Sequence, residues 1–368
     1  NDRVLADVGS FGGLFRGDGL GKDPILVGTT DGVGTKTRVA AAVRRFDSVG
    51  RCLVQHCIND ALVQGARPLF FLDYVGVGKL HPERVAALIS GVAAGCRDHG
   101  TVLLGGETAE MPGVYGGDDF DLVGTLVGVV EREHLLDGSR VREGDALIGL
   151  PSDGLHTNGY SLARRIVEER MGIAWTDPFP GDLQGRDAAA VLLANHRCYL
   201  PVLDPWLKRK ELHAMAHITG SGVPGNLPRV LRGIGARVSR TAVPPQNLFT
   251  QLVRAGGVER DEACRADNMA VGMILAVEAA AADDMSAELR KGGEPAFRMA
   301  SLDLVFSEYL TSSELLHAKQ HPHANTNEYA LAIRFRDEQN MEKFLDAIRA
   351  LAGVSRVELI TGKHSIEY

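Results

Sequence analysis

The chain has 368 residues, 45% of them hydrophobic and 24% charged, with a formal net charge of -7. That length suits two or three domains, and the apolar share supplies large cores and excludes a generally disordered chain. An acidic balance without a strongly basic block argues against a nucleic-acid partner, no apolar run is long enough to cross a bilayer, and no signal-peptide pattern is read, so a cytoplasmic protein with no membrane partner is expected.

In chain order, "ILVGTTD" predicts a strand that runs into the glycine-rich turn "TTDGVGTKTR" and a helix start at "VAAAV". "SVGRCLVQHCINDALVQGA" predicts a helix ended by Gly65, "LFFLDYVGVG" a strand, "PERVAALISGVAAGCRDHG" a helix, and "TVLLGGE" and "DLVGTLVGVVE" two more strands. A polar turn and a fresh strand in "DGSRVREGDALIGL" place a boundary near residue 140. Beyond it, "NGYSLARRIVEER" and "DAAAVLLANHRCYLPVLDPWL" read as helical, "LHAMAHI" as a strand, "NLPRVLRGI" as a helix and "ARVSRTAV" as a strand. "NLFTQLVRAG", "AVGMILAVEA" and "DDMSAELRKGG" give helix, strand and helix, and "AFRMASL" closes this unit near residue 302. "LTSSELLHAKQHPHANTN" reads as a polar linker. "EYALAIRFRD", "EQNMEKFLDAIRALAG" and "VSRVELITG" then make a small β-α-β piece, its helix capped by Asp337 and ended by Gly353. The expected domains are residues 1–140, 141–302 and 303–368.

The turn after the first strand has the build of an anion site, since backbone N–H groups at a helix N-terminus favour negative charge. It lacks Walker spacing and opens with an acid. Asp31 therefore suggests a metal ligand, with Gly32, Gly34 and Lys36 facing the anion. Asp60, Asp73 and Glu107 stand at other element ends. A solvated face is the ordinary place for such acids, but Asp60 and Glu107 sit in apolar, tightly turned contexts where an unpaired carboxylate is costly. Converging carboxylates beside phosphate suit Mg²⁺. "GSGVPG" matches G-x-G-x-x-G without the acid that a dinucleotide ribose needs, so it reads as a second phosphate site with Thr219 and Ser221 as donors. His156 and His217 each adjoin a glycine turn. The histidines of "HPHANTN" suggest no more than weak metal binding. The five cysteines form no C-x-x-C pair and read as reduced, buried thiols. No G-x-S-x-G elbow or H-E-x-x-H pattern occurs, which argues against hydrolase triads and zincins.

"TDGVGTK", "INDALVQGARPLFFLDY", "GGETAEMPGVY", "GLHTNGYSL" and "AHITGSGVPGNLPRVL", in that order, resemble the motifs of the aminoimidazole ribonucleotide synthetase family (phosphoribosylformylglycinamidine cyclo-ligases, PurM). The likeness covers residues 1 to about 302. It implies a two-domain PurM-like fold of α+β and α/β character, in which an N-terminal ATP-binding domain pairs across a homodimer and an α/β domain follows. The small C-terminal β-α-β appendage lies outside it. It also implies ATP and Mg²⁺, and closure of formylglycinamidine ribonucleotide to aminoimidazole ribonucleotide with release of ADP and phosphate. On this resemblance Asp31, Asp60 and Glu107 hold metal. Gly32, Gly34, Thr35, Lys36 and Asn59 hold ATP phosphates, and Asp60, His156, His217 and Lys36 act in catalysis. Asn158, Thr219, Ser221 and Gly222 hold the ribonucleotide. The chain departs from the family pattern at Ser221, at Gly225 before Asn226, and from Asp267 to Met273. The alternatives are another ATP-using enzyme of the superfamily, of thiamine-phosphate kinase or selenophosphate synthetase type, and a non-catalytic paralogue in which the tail senses a ligand.

Overall fold

The computed structural model describes residues 2–5, 12–182, 184–232, 234–236, 238, 240–301, 310–321, 326–335 and 341–349. The chain divides into two units, Asn1–Arg232 with Arg237–Leu302, and Gly233–Ala236 with Asp303–Tyr368.

The larger unit opens with strand β1 (Pro24–Gly32), then helix α1 (Lys36–Val43), helix α2 (Asp47–Leu62), β2 (Arg67–Val77), α3 (Pro82–Asp98), β3 (Val102–Glu110) and β4 (Phe120–Glu131). The four strands form one sheet in the order β1-β4-β2-β3, with β2 and β3 parallel and the other pairs antiparallel. Strand β4 alternates strictly between buried and half-buried positions, the signature of a sheet with one face packed and one face more open. The packed face lies against α2, which buries Val49, Cys52, Leu53, Cys57, Ile58 and Leu62. Helix α3 starts with Pro82 and Glu83 and carries Arg97 in its last turn, each placed as the missing N–H groups and the helix dipole favour.

Eight further helices and four strands complete this unit among its described residues. They are β5 (Ala146–Pro151), α4 (Tyr160–Arg165), α5 (Ala188–Leu192), α6 (Leu200–Leu203), β6 (Leu212–His217), α7 (Gly222–Asn226), α8 (Pro228–Leu231), α9 (Asn247–Gly256), α10 (Arg260–Ala266), β7 (Val271–Val277), α11 (Ala282–Lys291) and β8 (Phe297–Ser301). The second sheet runs β6-β7-β5-β8, with every pairing antiparallel. Strands β6 and β7 are buried along their whole length; β7 is a continuous apolar run, while β6 also buries His213 and His217. A single buried cluster extends from Val33 to Ala296 and joins the two sheets' helices.

Three stretches differ from expectation. "DAAAVLLANHRCYLPVLDPWL" is not one helix: residues 193–199 are irregular between α5 and α6, because Pro201 can start a helix but not continue one. "ARVSRTAV" carries a short turn of 3₁₀ helix at Arg240–Ala242 where a strand was expected. Helix α10 has no counterpart in the reading of the sequence.

In the smaller unit, β9 (Leu310–His321) and β10 (Thr326–Phe335) form an antiparallel pair, and α12 (Met341–Arg349) follows. The stretch read as a polar linker is thus largely strand β9. Its polar composition hid it, since the cross-strand register rather than apolar alternation defines it. The expected strand "VSRVELITG" lies outside the described residues.

Candidate functional site

Strand β1 and helix α2 meet where the sheet's packed face ends. Asp31, next to last in β1, pairs with Gly124, where the missing side chain admits the Phe71 ring, since a Cβ there would lie 2.1 Å from it. His56 and Asp60 are one turn apart on α2 and so share a face. His56 is almost wholly buried, and its Nε2 lies 2.8 Å from Asp31 Oδ2 and 3.4 Å from Asp60 Oδ2. Its other nitrogen, Nδ1, is 2.6 Å from Thr157 Oγ1. His217, the last residue of β6, places Nδ1 2.7 Å from Asp60 Oδ1 and Nε2 3.1 Å from His196 Nε2. His196 stacks on His156 with ring centroids 4.0 Å apart. Four imidazoles and two carboxylates therefore form one continuous group that both sheets contribute to.

Burial alone would lower the pKa of His56, but the Asp31 and Asp60 carboxylates outweigh it and raise it to about 9. Burial tends to raise Asp60, and the hydrogen bond from His217 together with the adjacent His56 imidazolium reverses this and holds it well below the usual carboxylate range. Asp31 follows the same logic and is also lowered. Burial keeps His217 below its ordinary value despite Asp60, and it drives His156 and His196 lower still, with neighbouring positive charges adding to the effect. At neutral pH the group thus holds two carboxylates, one imidazolium and three neutral imidazoles.

The structure brings together Asp31, Asp60 and His217 of the expected residues, with His156 behind them. Gly32, Gly34 and Thr35 lie beside them on the loop into α1, where Gly34 has a positive φ of 54° and both Gly34 and Thr35 are exposed. Asn158 joins the Thr219–Gly222 loop: a Cβ on Gly220 would lie 3.1 Å from Asn158 Oδ1. Gly222 has no room for a side chain, since its Cβ would come within 2.0 Å of the Cys264 carbonyl oxygen. Ser221 takes a positive φ of 71° and Thr219 Oγ1 sits 3.3 Å from Asn226 Oδ1, which fixes the loop's shape.

Three expected residues are placed otherwise. Lys36 faces inward with no exposed surface, and its ammonium donates to the carbonyls of Ala194 at 2.7 Å and His156 at 2.9 Å and contacts Cys52 Sγ at 3.1 Å. A first-turn helix position can point to either side, and here the interior supplied the acceptors. Asn59 is fully buried and spends its amide on the Arg197 carbonyl at 2.7 Å and the Tyr199 N–H at 3.0 Å. Glu107 is one residue beyond Gly106, which pairs with Asp73 in the rung that continues through Gly124 to Asp31. Successive side chains alternate faces, so Glu107 points to the sheet's other side and within one chain does not join the two aspartates.

Sequence reasoning missed His56 and His196. The first had a signal, because "HCIND" puts a histidine four residues before Asp60 on a helix. The second had none, since it lies in an irregular segment that reads as helix.

The AIR synthase related protein N-terminal domain matches residues 18–130, and the AIR synthase related protein C-terminal domain matches residues 142–302. A phosphoribosylformylglycinamidine cyclo-ligase of Trichlorobacter lovleyi is 46% identical over 296 residues, covering 80% of this chain and 84% of that protein. Its namesake in Gloeobacter violaceus is 45% identical over 302 residues, covering 81% and 88%. Among solved structures, thiamine-monophosphate kinase from Stenotrophomonas maltophilia K279a superposes with a TM-score of 0.62 at 20% identity, covering 82% of this chain and 89% of that one. Hydrogenase maturation protein HypE in complex with ATP does so with a TM-score of 0.55 at 19% identity, covering 78% and 79%. These two are likenesses of fold.

Proposed function

The chain belongs to the AIR synthase related family, among the phosphoribosylformylglycinamidine cyclo-ligases, and we propose that Asp31, His56, Asp60 and His217 form the centre at which its ATP-dependent ring closure runs. In that reaction the formyl amide oxygen of formylglycinamidine ribonucleotide takes the γ-phosphoryl group and ADP leaves. An amidine nitrogen then attacks the activated carbon, phosphate departs, and a proton is lost from nitrogen. The demand on the protein is positioning and charge stabilisation, with a base for that proton.

The exposed N-terminus of α1, with Gly32, Gly34 and Thr35, receives nucleotide phosphate. Asp31 and Asp60 fit a divalent ion, because both are partly exposed, at 45% and 26%, and face one another across His56. A hard cation that keeps most of its water needs only one or two such carboxylates, and when bound it neutralises charge on the phosphates. The ionised Asp60 and the neutral His217 make a carboxylate–imidazole pair suited to take up the released proton. Asn158 and the Thr219–Gly222 loop hold the ribonucleotide. A homodimer fits the half-buried outer face of the first sheet, where Phe70, Leu72, Tyr74 and Val123 stand.

The observation that carries this reading is Asp60, which touches an imidazole from α2, another from β6 and the Thr29 hydroxyl of β1. Asp60→Asn keeps the shape and removes the charge. We expect ADP release dependent on formylglycinamidine ribonucleotide to fall by at least about 100-fold, with circular dichroism and mass unchanged. Retained turnover in a folded variant would show that Asp60 has a purely structural place.

A further inference from the structure

A cleft of about 370 Å³, its open mouth included, lies between α4, α9 and α10. That is the low end of the range for small-molecule pockets, about 300–1,000 Å³, and it suits a single ring rather than a nucleotide. Ile166, Phe249, Leu252, Val258 and Met269 stand in its walls, and every lining residue but Asp267 is uncharged. None of the residues given above to ATP, metal or ribonucleotide borders it.

Asp267 is 9% exposed. Its Oδ1 accepts from the Asn268 N–H at 2.6 Å, and its Oδ2 accepts from no donor among the described residues. That second oxygen stands against Gly159, which also borders the cleft and where a Cβ would lie 2.7 Å from it. The carboxyl thus occupies room that a missing side chain leaves, with one oxygen unspent.

A buried carboxylate is costly unless a cation or several donors meet it. Here the protein brings neither, since no Lys, Arg or His lines the cleft. Tyr160, the titratable side chain that feels Asp267, spends its hydroxyl on the carbonyls of His156 and Leu192. Burial accordingly keeps Asp267 protonated at neutral pH. An uncharged apolar occupant would fill the space and leave Oδ2 as it is. An occupant with a protonated nitrogen supplies the missing partner, and its ring meets the apolar walls.

We propose that this cleft is a binding site for a small aromatic or heteroaromatic cation, whose ring packs on Ile166, Phe249 and Leu252 and whose protonated nitrogen donates to Asp267 Oδ2. The proton balance of binding is fixed: the cation keeps its proton, and Asp267 gives its own to solvent. The site is separate from the reaction centre and does not depend on it.

Benzylamine is the probe, and benzyl alcohol, of nearly the same shape without the charge, is its control. Each is titrated by calorimetry into the full chain near neutral pH, in two buffers of different ionisation enthalpy. We expect saturable one-to-one binding of benzylamine, release of close to one proton for each molecule bound, and binding of benzyl alcohol at least about tenfold weaker. Asp267→Asn keeps the shape and loses the charge, so it should weaken benzylamine at least about tenfold, end the proton release and leave benzyl alcohol unchanged. Ala266→Leu keeps the carboxyl and fills the cleft from a half-buried position at the end of α10, so it should abolish binding of both. Absence of saturable benzylamine binding, equal affinity for the alcohol, or benzylamine affinity unchanged in Asp267→Asn would overturn the inference. Binding that persists in Ala266→Leu would place the molecule elsewhere and overturn it as well.

Discussion

A lysine ammonium without exposed surface is tolerated only when its protons find acceptors, and Lys36 finds two carbonyls and a thiol. Lys36→Met removes the charge and leaves the carbonyls of His156 and Ala194 bare. We expect a loss of stability on the order of 2–4 kcal/mol by urea denaturation, while the folded fraction keeps its KM for ATP. A raised KM with unchanged stability would return Lys36 to the phosphates. Asp267 presents the opposite situation. Burial pushes its carboxyl up to about 8, with only the Asn268 N–H opposing. Its folded-state pKa is raised, so its contribution to stability is complete below about pH 4 and fades as pH climbs towards the folded value. Thermal melts should therefore show the protein losing stability between about pH 4 and about pH 8 relative to Asp267→Asn. Parallel curves would mean that the carboxyl is ionised in the fold.

Helices α2 and α3 lie close because glycines face each other across their contact. A Cβ on Gly50 would come within 2.3 Å of the Leu88 carbonyl, and one on Gly91 within 2.0 Å of the Asp47 carbonyl. Alanine in a helix interior normally gains about 0.5–1 kcal/mol over glycine. Here the close backbone forces the helices apart, so Gly50→Ala is expected to destabilise by about 2 kcal/mol or more, read by denaturant midpoint. A neutral or stabilising result would show that the pair relaxes freely. Legibility followed the same division. The strands and helices of residues 24–131 were readable because their apolar period is strong, as the alternation in β4 shows. The Asp31–Asp60–His217 convergence was readable because each residue adjoins a turn or lies within a motif. Lys36 and Asn59 were misread because sequence gives the residue type but not the side of the helix on which acceptors wait. His196 and β9 were missed because their backbone partners are far away in sequence or lie in a neighbouring strand.

At the scale of the whole molecule, the second unit carries none of the residues at the proposed centre. Its β9–β10 pair with α12 is small for a core of its own. A chain ending at Leu302 should remain folded, elute and scatter as a dimer, and keep kcat and KM within a few-fold. Loss of ATP binding on truncation would show that the tail completes the site, and a monomer would remove the dimer from the proposal. The irregular segment 193–199 has a different dependence. Lys36 holds the Ala194 carbonyl, Cys52 Sγ receives the His196 N–H, and Asn59 takes both the Arg197 carbonyl and the Tyr199 N–H. The holders leave the ribosome more than a hundred residues before the held. During synthesis the early helices thus stand as a mould, and the later segment sets its shape by being cast against them. The histidine it carries reaches the reaction centre only once that casting is done, so the first half of the protein dictates when the second half becomes competent.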